Sequence, residues 1–130
     1  MKEIQSIKNL HRQQISCIKF TPDGSKLVTA SSDHSLKVID VRTSEVLQTL
    51  EDSEMMLKAS VFRFCISPNS KYCVVGGSSG TIFIYNLVTG QLEDAYDEEH
   101  NVGVLGCDWA AGTESTVCTL DMSGLLFLWN

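Results

Sequence analysis

A residue pair recurs three times along this 130-residue chain, each time at the end of an apolar stretch. The pairs are Ile39-Asp40, Tyr85-Asn86 and Trp129-Asn130, so the repeats are 46 and 44 residues apart. A period of roughly 40–45 residues with several short strands inside it is typical of a propeller array. One such sheet cannot bury both of its faces alone, so the repeat predicts the stacked blades of a β-propeller.

Within each period, strands of alternating apolar and polar residues are separated by turns rich in proline, glycine, serine and aspartate. We therefore predict an all-β fold of three four-stranded antiparallel sheets, as a partial propeller or as part of an assembled ring. The predicted segments are a strand of a preceding or closing blade (1–10), blade one (11–50), blade two (51–96) and blade three without its outer strand (97–130).

The segment Glu3–Lys8 is a candidate for the outer strand that blade three lacks, because one terminus of a closed propeller often completes the blade of the other. Propellers typically have about 4–8 blades, and three blades leave open sheet edges. We therefore expect either a larger propeller or self-association, with two copies giving six blades.

The composition excludes several classes of protein. The net charge of −6 disfavours binding to nucleic acid or to anionic lipid, both of which need a basic surface. No apolar run approaches the roughly 20 residues of a membrane helix, and residues 1–10 resemble neither a signal peptide nor a transit peptide. Five cysteines in strand-like runs favour a reducing, cytosolic compartment.

The repeats resemble WD40 repeats. Units of that family carry a histidine near the start, an aspartate in the turn before the third strand, and Trp-Asp at the end of that strand. Unit one has His11, Asp33 and Asp40 but Ile39 in place of the tryptophan. The resemblance implies a buried His–Ser/Thr–Asp–Trp hydrogen-bond network, and unit one lacks one of its members.

The other two units also depart from the pattern. Unit two has Tyr85-Asn86 but no matching histidine or turn aspartate, and unit three has His100 and Trp129-Asn130 but Ser123 at the turn position. The sequence therefore predicts that the network is incomplete in every unit, and a partly satisfied buried network lowers stability.

A narrower resemblance, to the C-terminal propeller of the autophagy-related protein 16 family, covers nearly the whole chain. It is carried by Leu36–Thr43, Gln48–Leu50, Ser67-Pro68, Gly76–Gly80, Ile84-Tyr85, Leu87–Gly90 and the long connection Asp52–Ser60. It places the chain as the last three of seven blades.

The resemblance implies a scaffold that helps direct conjugation of a ubiquitin-like protein to membranes during autophagy. Its expected partners are conjugation or receptor proteins, with no nucleic acid, no direct membrane insertion, no cofactor and no enzymatic activity. The implied location is the cytoplasm, with peripheral recruitment to autophagic membranes.

Asp40 and Arg42 form an Asp-x-Arg pair just after a strand. In some WD40 proteins such a pair engages the adaptor of a cullin-type ubiquitin ligase, so a substrate-receptor propeller is the alternative function. The simpler interpretation is that Asp40 caps the turn and Arg42 makes a weak surface ion pair.

Two further segments are candidates for partner binding. The apolar run Met55, Met56 and Leu57 lies in a long connection, where it either contacts a partner or folds back to cap a blade. The acidic cluster around a predicted outer strand either docks a basic segment or protects the sheet edge from aggregation; it comprises Glu93, Asp94, Tyr96, Asp97, Glu98 and Glu99.

No arrangement of catalytic or metal-binding residues is recognisable in the sequence. The histidines and cysteines lack metal-ligand spacing, and the glycine-rich run Gly76–Gly80 joins two strands, unlike a phosphate loop, which leads into a helix. A propeller enzyme with a site on its central axis is the remaining rival, and it requires an intact ring.

Overall fold

The computed structural model describes residues 1–57, 62–113 and 115–130, and these contain eleven β-strands. Blade one consists of β1 (Ile15–Phe20), β2 (Lys26–Ser31), β3 (Leu36–Asp40) and β4 (Val46–Leu50). Blade two consists of β5 (Phe64–Ile66), β6 (Tyr72–Gly76), β7 (Ile82–Asn86) and β8 (Leu92–Tyr96). Blade three consists of β9 (Val104–Trp109), β10 (Val117–Asp121) and β11 (Leu126–Trp129).

Each blade is an antiparallel meander. The strand orders are β1-β2-β3-β4, β5-β6-β7-β8 and β9-β10-β11, so in the described residues blade three has one strand fewer than the other two. The prediction of an all-β fold built from propeller blades is confirmed. Among these residues, no helix is both long enough and apolar enough to cross a bilayer.

The turns between the first and second strands of blades one and two are held by the same kind of side-chain hydrogen bond. In blade one, Asp23 accepts hydrogen bonds from the Thr21 hydroxyl at 2.7 Å and from Ser25, and these bonds lower the pKa of Asp23 to about 2. In blade two, Asn69 accepts from the Ser67 hydroxyl at the same distance. Polar side chains that bond their own backbone favour tight turns, which explains why both proline-containing turns reverse the chain.

A large apolar core lies between blades one and two. Blade one contributes mainly β2 and β3, blade two contributes mainly β6 and β7, and the connection between the blades adds three side chains. The fully buried members include Val28, Leu36, Val38, Leu50, Met55, Leu57, Phe64, Val75, Phe83 and Tyr85. Because blade two turns one face to this core and its other face to blade three, its strands are apolar on both sides.

The core between blades two and three is smaller. Its buried members are Cys65, Val74, Ile82, Val104 and Val117. Backbone hydrogen bonds reinforce it, from Arg63 N to Leu105 O at 3.0 Å and from Val104 N to Gly77 O at 3.1 Å.

The outer faces of the first and last blades remain open. Ile18 and Phe20 on blade one, and Leu126 and Leu128 on blade three, are exposed, with Leu128 at 74%. Sheet faces of this kind normally pack against a neighbouring blade, and in the part of the chain that the structure describes no further blade covers the apolar surface at either end of the row.

The segment Glu3–Lys8 does not form the predicted strand. Residues 1–7 have no regular secondary structure, and Ile4 is 99% exposed. A strand requires a sheet edge that receives its backbone hydrogen bonds, and no strand of the described chain pairs with this segment. Its assignment to a preceding or closing blade remains a prediction.

Candidate interaction surfaces and the buried hydrogen-bond networks

Blade three contains a complete buried hydrogen-bond network. His100 Nδ1 lies 2.8 Å from Asp121 Oδ2, and His100 Nε2 lies 2.8 Å from Thr119 Oγ1. Trp129 Nε1 donates to the same Thr119 oxygen at 2.8 Å. An indole can only donate and a carboxylate only accepts, so in neutral His100 the proton sits on Nδ1 and the Thr119 hydroxyl donates to Nε2.

This finding corrects the prediction that the network is incomplete in every unit. The carboxylate comes from Asp121. This residue lies two positions before Ser123, which is the position that the repeat spacing predicts. Hydrogen bonds from the Ser123 hydroxyl, which has the largest effect, and from His100 hold the pKa of Asp121 well below its usual range. Asp121 also accepts from the backbone of Leu125, so it organises the turn before β11.

Blade one contains most of the same network. His11 lies 3.0 Å from Asp33 through Nδ1 and 2.8 Å from Thr29 through Nε2. Burial opposes ionisation of Asp33, but bonds from Ser35, the Arg12 backbone and His11 outweigh it and lower its pKa. Ile39 is buried at the tryptophan position and supplies packing without a hydrogen bond, as the sequence predicts.

Blade two lacks the network and relies on packing. Tyr85 occupies the tryptophan position, is buried against the core with blade one, and stacks with Phe83 at a centroid distance of 6.4 Å. Its hydroxyl finds no hydrogen-bond partner in the part of the chain that is described, and burial raises its pKa. Blade two therefore depends on the apolar surfaces of its neighbours.

The Asp40-x-Arg42 pair is a turn in the structure. Asp40 Oδ1 accepts hydrogen bonds from the backbone N–H groups of Arg42 and Thr43, each at 2.8 Å. These bonds, the one from Thr43 first, lower the pKa of Asp40 although slight burial opposes this. The guanidinium of Arg42 is exposed.

Asn86 repeats this turn in blade two. Its Oδ1 accepts from the backbone of Val88 at 2.9 Å and of Thr89 at 3.1 Å. In blades one and two, the last residue of the recurring pair therefore caps the turn that follows the third strand. Asn130 accepts instead from the Ser115 hydroxyl at 2.9 Å.

The apolar connection folds back onto the protein. Met55 and Leu57 are fully buried in the core between blades one and two, so they do not form an exposed contact on a rim. Leu57 N donates to His34 Nδ1 at 3.0 Å, and Ser78 donates to Met56 O from both its backbone and its hydroxyl. Met56 is half-buried, and the last part of the predicted connection, Lys58, Ala59 and Ser60, lies outside the described residues.

The acidic cluster lies on the outer strand β8 and in the loop that follows. Glu93 accepts from Asn86 at 2.8 Å, and Asp94 accepts from the Tyr96 hydroxyl, which raises the pKa of Tyr96. Asp97 and Glu98 are exposed and Glu99 is half-buried, and none of the three has a hydrogen bond or ion pair within the described chain. The five carboxylates thus follow one another along the outer strand of blade two and the loop after it.

The described residues contain no group of side chains that could hold a metal ion. Cys17, Cys65 and Cys73 are buried, and burial raises the pKa of the Cys73 thiol. These cysteines act as small apolar residues of the two cores.

Comparison with known proteins places this geometry in context. The model of the family "WD domain, G-beta repeat" matches residues 2–40 and 45–86, which is more than half of the chain. Autophagy-related protein 16 of Arabidopsis thaliana is 26% identical over 119 residues, covering 92% of this chain and 23% of that protein. Protein tipD of Dictyostelium discoideum is 30% identical over 109 residues, covering 82% of this chain and 18% of that protein.

The chain thus spans about a fifth of the length of these curated relatives. Among solved structures, "Structure of U3-55K" superposes with a TM-score of 0.73 at 21% identity, covering 92% of this chain and 40% of that one. At this identity the likeness shows the fold alone. Propellers of this kind are generally scaffolds that bind other proteins. The propeller blades, the His–Asp networks and the matched family model together show that the chain belongs to the WD40-repeat family.

Proposed function

We propose that this chain is part of the docking propeller of an autophagy-related protein 16-like scaffold, which helps direct conjugation of a ubiquitin-like protein to membranes. The observation that carries the proposal is the similarity to Autophagy-related protein 16 over 92% of the chain. In this role the protein works in the cytoplasm and reaches autophagic membranes peripherally, through the proteins it binds.

The acidic edge of blade two is the surface that best fits a partner. Its carboxylates are Glu93, Asp94, Asp97, Glu98 and Glu99, and in a chain of net charge −6 they favour a partner segment rich in lysine and arginine. Charges at such a rim act mainly on the association rate and on partner choice. By contrast, the Asp40 carboxylate is engaged in its own turn, so no geometric observation favours the ligase alternative.

The test is a graft. The matched blades of the Arabidopsis relative are replaced by these 130 residues in cells that lack the relative, and membrane attachment of the ubiquitin-like protein is measured. We expect the graft to restore attachment above the level of a chimera from which the blades are deleted. A folded, expressed graft with no activity above that deletion would contradict the proposal.

A charge-reversed graft tests the docking edge separately. Asp97→Lys, Glu98→Lys and Glu99→Lys together should abolish the restored activity, whereas Glu45→Lys on the turn before β4 should not. Equal activity of the two variants would remove the acidic edge from the proposal and leave the scaffold role intact.

A further inference from the structure

The turn between β2 and β3 holds a histidine in a backbone conformation that favours glycine. His34 has a φ angle of 68°, whereas the corresponding turns of blades two and three have Gly80 at 98° and Gly124 at 89°. The N–H of each of these residues donates to the carbonyl oxygen three residues earlier at 3.2 Å, so the three positions are equivalent. A residue with a Cβ atom is disfavoured in this conformation, which indicates that the imidazole of His34 makes a compensating contact.

That contact holds the connection between blades one and two. The backbone N–H of Leu57 donates to His34 Nδ1 at 3.0 Å. On the other side, the Ser78 hydroxyl of blade two donates to Met56 O at 2.6 Å. Because Met55 and Leu57 are fully buried in the core between the two blades, these bonds keep the connection closed over that core.

The ring nitrogen of His34 faces a different kind of group from those of His11 and His100. Those two histidines each lie between a carboxylate oxygen, which accepts, and a threonine hydroxyl, which can donate or accept. A backbone N–H can only donate, so Nδ1 of His34 is unprotonated and the proton of the neutral ring is on Nε2. A second proton on the ring would set an N–H against the N–H of Leu57 and remove the bond.

A protonated ring has other partners beside it. His34 borders a cavity of about 420 Å³ between its turn and the segment after β4. The residues that line the cavity are Asp33, His34, Glu51, Asp52, Ser53 and Met56. The charged groups facing His34 are therefore three carboxylates, and no lysine or arginine of the described chain lines this cavity. Asp33 is already bonded to His11, but the Glu51 carboxylate has no hydrogen bond or ion pair with any described residue.

We propose that His34 is a proton-operated latch on the connection between blades one and two. The neutral ring accepts from Leu57 and holds the connection on blade one. Histidine side chains change charge between about pH 5 and pH 8, and the protonated ring releases Leu57 and turns to the carboxylates of Glu51 and Asp52. The bond from Ser78 does not depend on this proton, so blade two keeps its hold. Burial of Met55 and Leu57 still favours closure, so the proton raises the frequency of opening and does not unfold the blades.

Hydrogen exchange of the Leu57 amide in the full chain tests the latch, with rates corrected for the pH dependence of exchange in unstructured peptides. A neutral hydrogen bond contributes an amount of free energy that corresponds to about a fivefold change in an equilibrium constant. We therefore expect protection of this amide to fall about fivefold between about pH 7.5 and about pH 5. The amide of Val104, which donates to Gly77 O, should keep its protection.

Two substitutions separate the imidazole from the turn. His34→Asn keeps an acceptor, Oδ1, at the place of Nδ1 and tolerates the left-handed conformation, so protection of Leu57 should not depend on pH. His34→Gly has the residue type of the other two blades and no acceptor, so protection should be low at both pH values. Wild-type protection that is the same at both pH values, an equal fall in His34→Asn, or full protection in His34→Gly overturns the proposal.

The nitrogen chemical shifts of the histidine rings supply a readout that does not depend on stability. At about pH 7.5 the His34 ring should carry its proton on Nε2, whereas His11 and His100, which donate to carboxylates, should carry theirs on Nδ1. A proton on Nδ1 of His34 at this pH would refute the latch, because that nitrogen could not then accept from Leu57.

Discussion

Replacing Thr119 with valine isolates the energetic value of the blade three network. Valine has almost the shape of threonine but no hydroxyl, and Thr119 is buried, so the change removes two hydrogen bonds without opening a cavity. A neutral bond contributes about 1 kcal/mol, and a buried group left without a partner costs about 1–3 kcal/mol. Since His100 and Trp129 both lose their partner, we expect a loss of about 2–4 kcal/mol.

Thr29→Val in blade one is the matched control. Among the described residues the Thr29 hydroxyl bonds to His11 alone, because Ile39 replaces the tryptophan, so one hydrogen bond is lost and the expected cost is about 1–2 kcal/mol. Thr49→Val removes an exposed hydroxyl that accepts from Lys37 and should cost less than about 0.5 kcal/mol.

Urea unfolding measures the three costs. Circular dichroism follows all blades, and tryptophan fluorescence follows blade three and its contact with blade two, because Trp109 and Trp129 belong to β9 and β11 and pack against blade two. The two probes separate the blades if unfolding is not a single transition. Equal losses for Thr119→Val and Thr29→Val would refute the reasoning, because the indole bond would then contribute nothing.

Three other predictions concern the pH dependence of stability, a close packing contact and the ligase alternative. Asp33 and Asp121 have folded pKa values below the ordinary aspartate value of about 4. Their contribution to the free energy of unfolding is therefore complete above that pH and is lost as the pH falls through the folded values. The free energy of unfolding, measured across an acid titration, should depend less on pH in Asp121→Asn than in wild type. Gly76→Ala should destabilise by about 1–3 kcal/mol, because its Cβ would clash with the Val104 side chain and backbone; thermal melting measures this, and an unchanged midpoint would contradict it. Arg42→Ala should leave the melting temperature and the restoration by the graft unchanged, because Arg42 is exposed; loss of binding to a ligase adaptor in this variant would instead support the substrate-receptor alternative.

The local features of the fold were accessible from the sequence. The alternation of apolar and polar residues predicted the strands. The third strands of blades one and two end in Asp40 and Asn86, and each of these side chains accepts hydrogen bonds from the backbone two and three residues later. Such features depend on neighbours within four or five positions, which a single sequence displays directly.

The long-range features were not accessible in this way. The repeat spacing indicates Ser123 for the network, but the carboxylate is that of Asp121, two residues earlier. Only the packing of β10 against His100 reveals this. The burial of Met55 and Leu57 depends on the gap between two blades, so the sequence left their role open. The strand expected at Glu3–Lys8 needs a sheet edge to pair with, and no strand within residues 1–57, 62–113 and 115–130 pairs with it.

The missing network in blade two has a consequence for how the chain is made. Blade one holds His11, Thr29 and Asp33 within its own segment and can consolidate as soon as it leaves the ribosome. Blade two has no internal hydrogen-bond network of this kind, and its apolar face towards blade three stays exposed until β9 has been synthesised. We therefore expect chains released after Tyr96, which hold all four strands of blade two but not β9, to be cleaved by protease in blade two, and the 130-residue chain to resist.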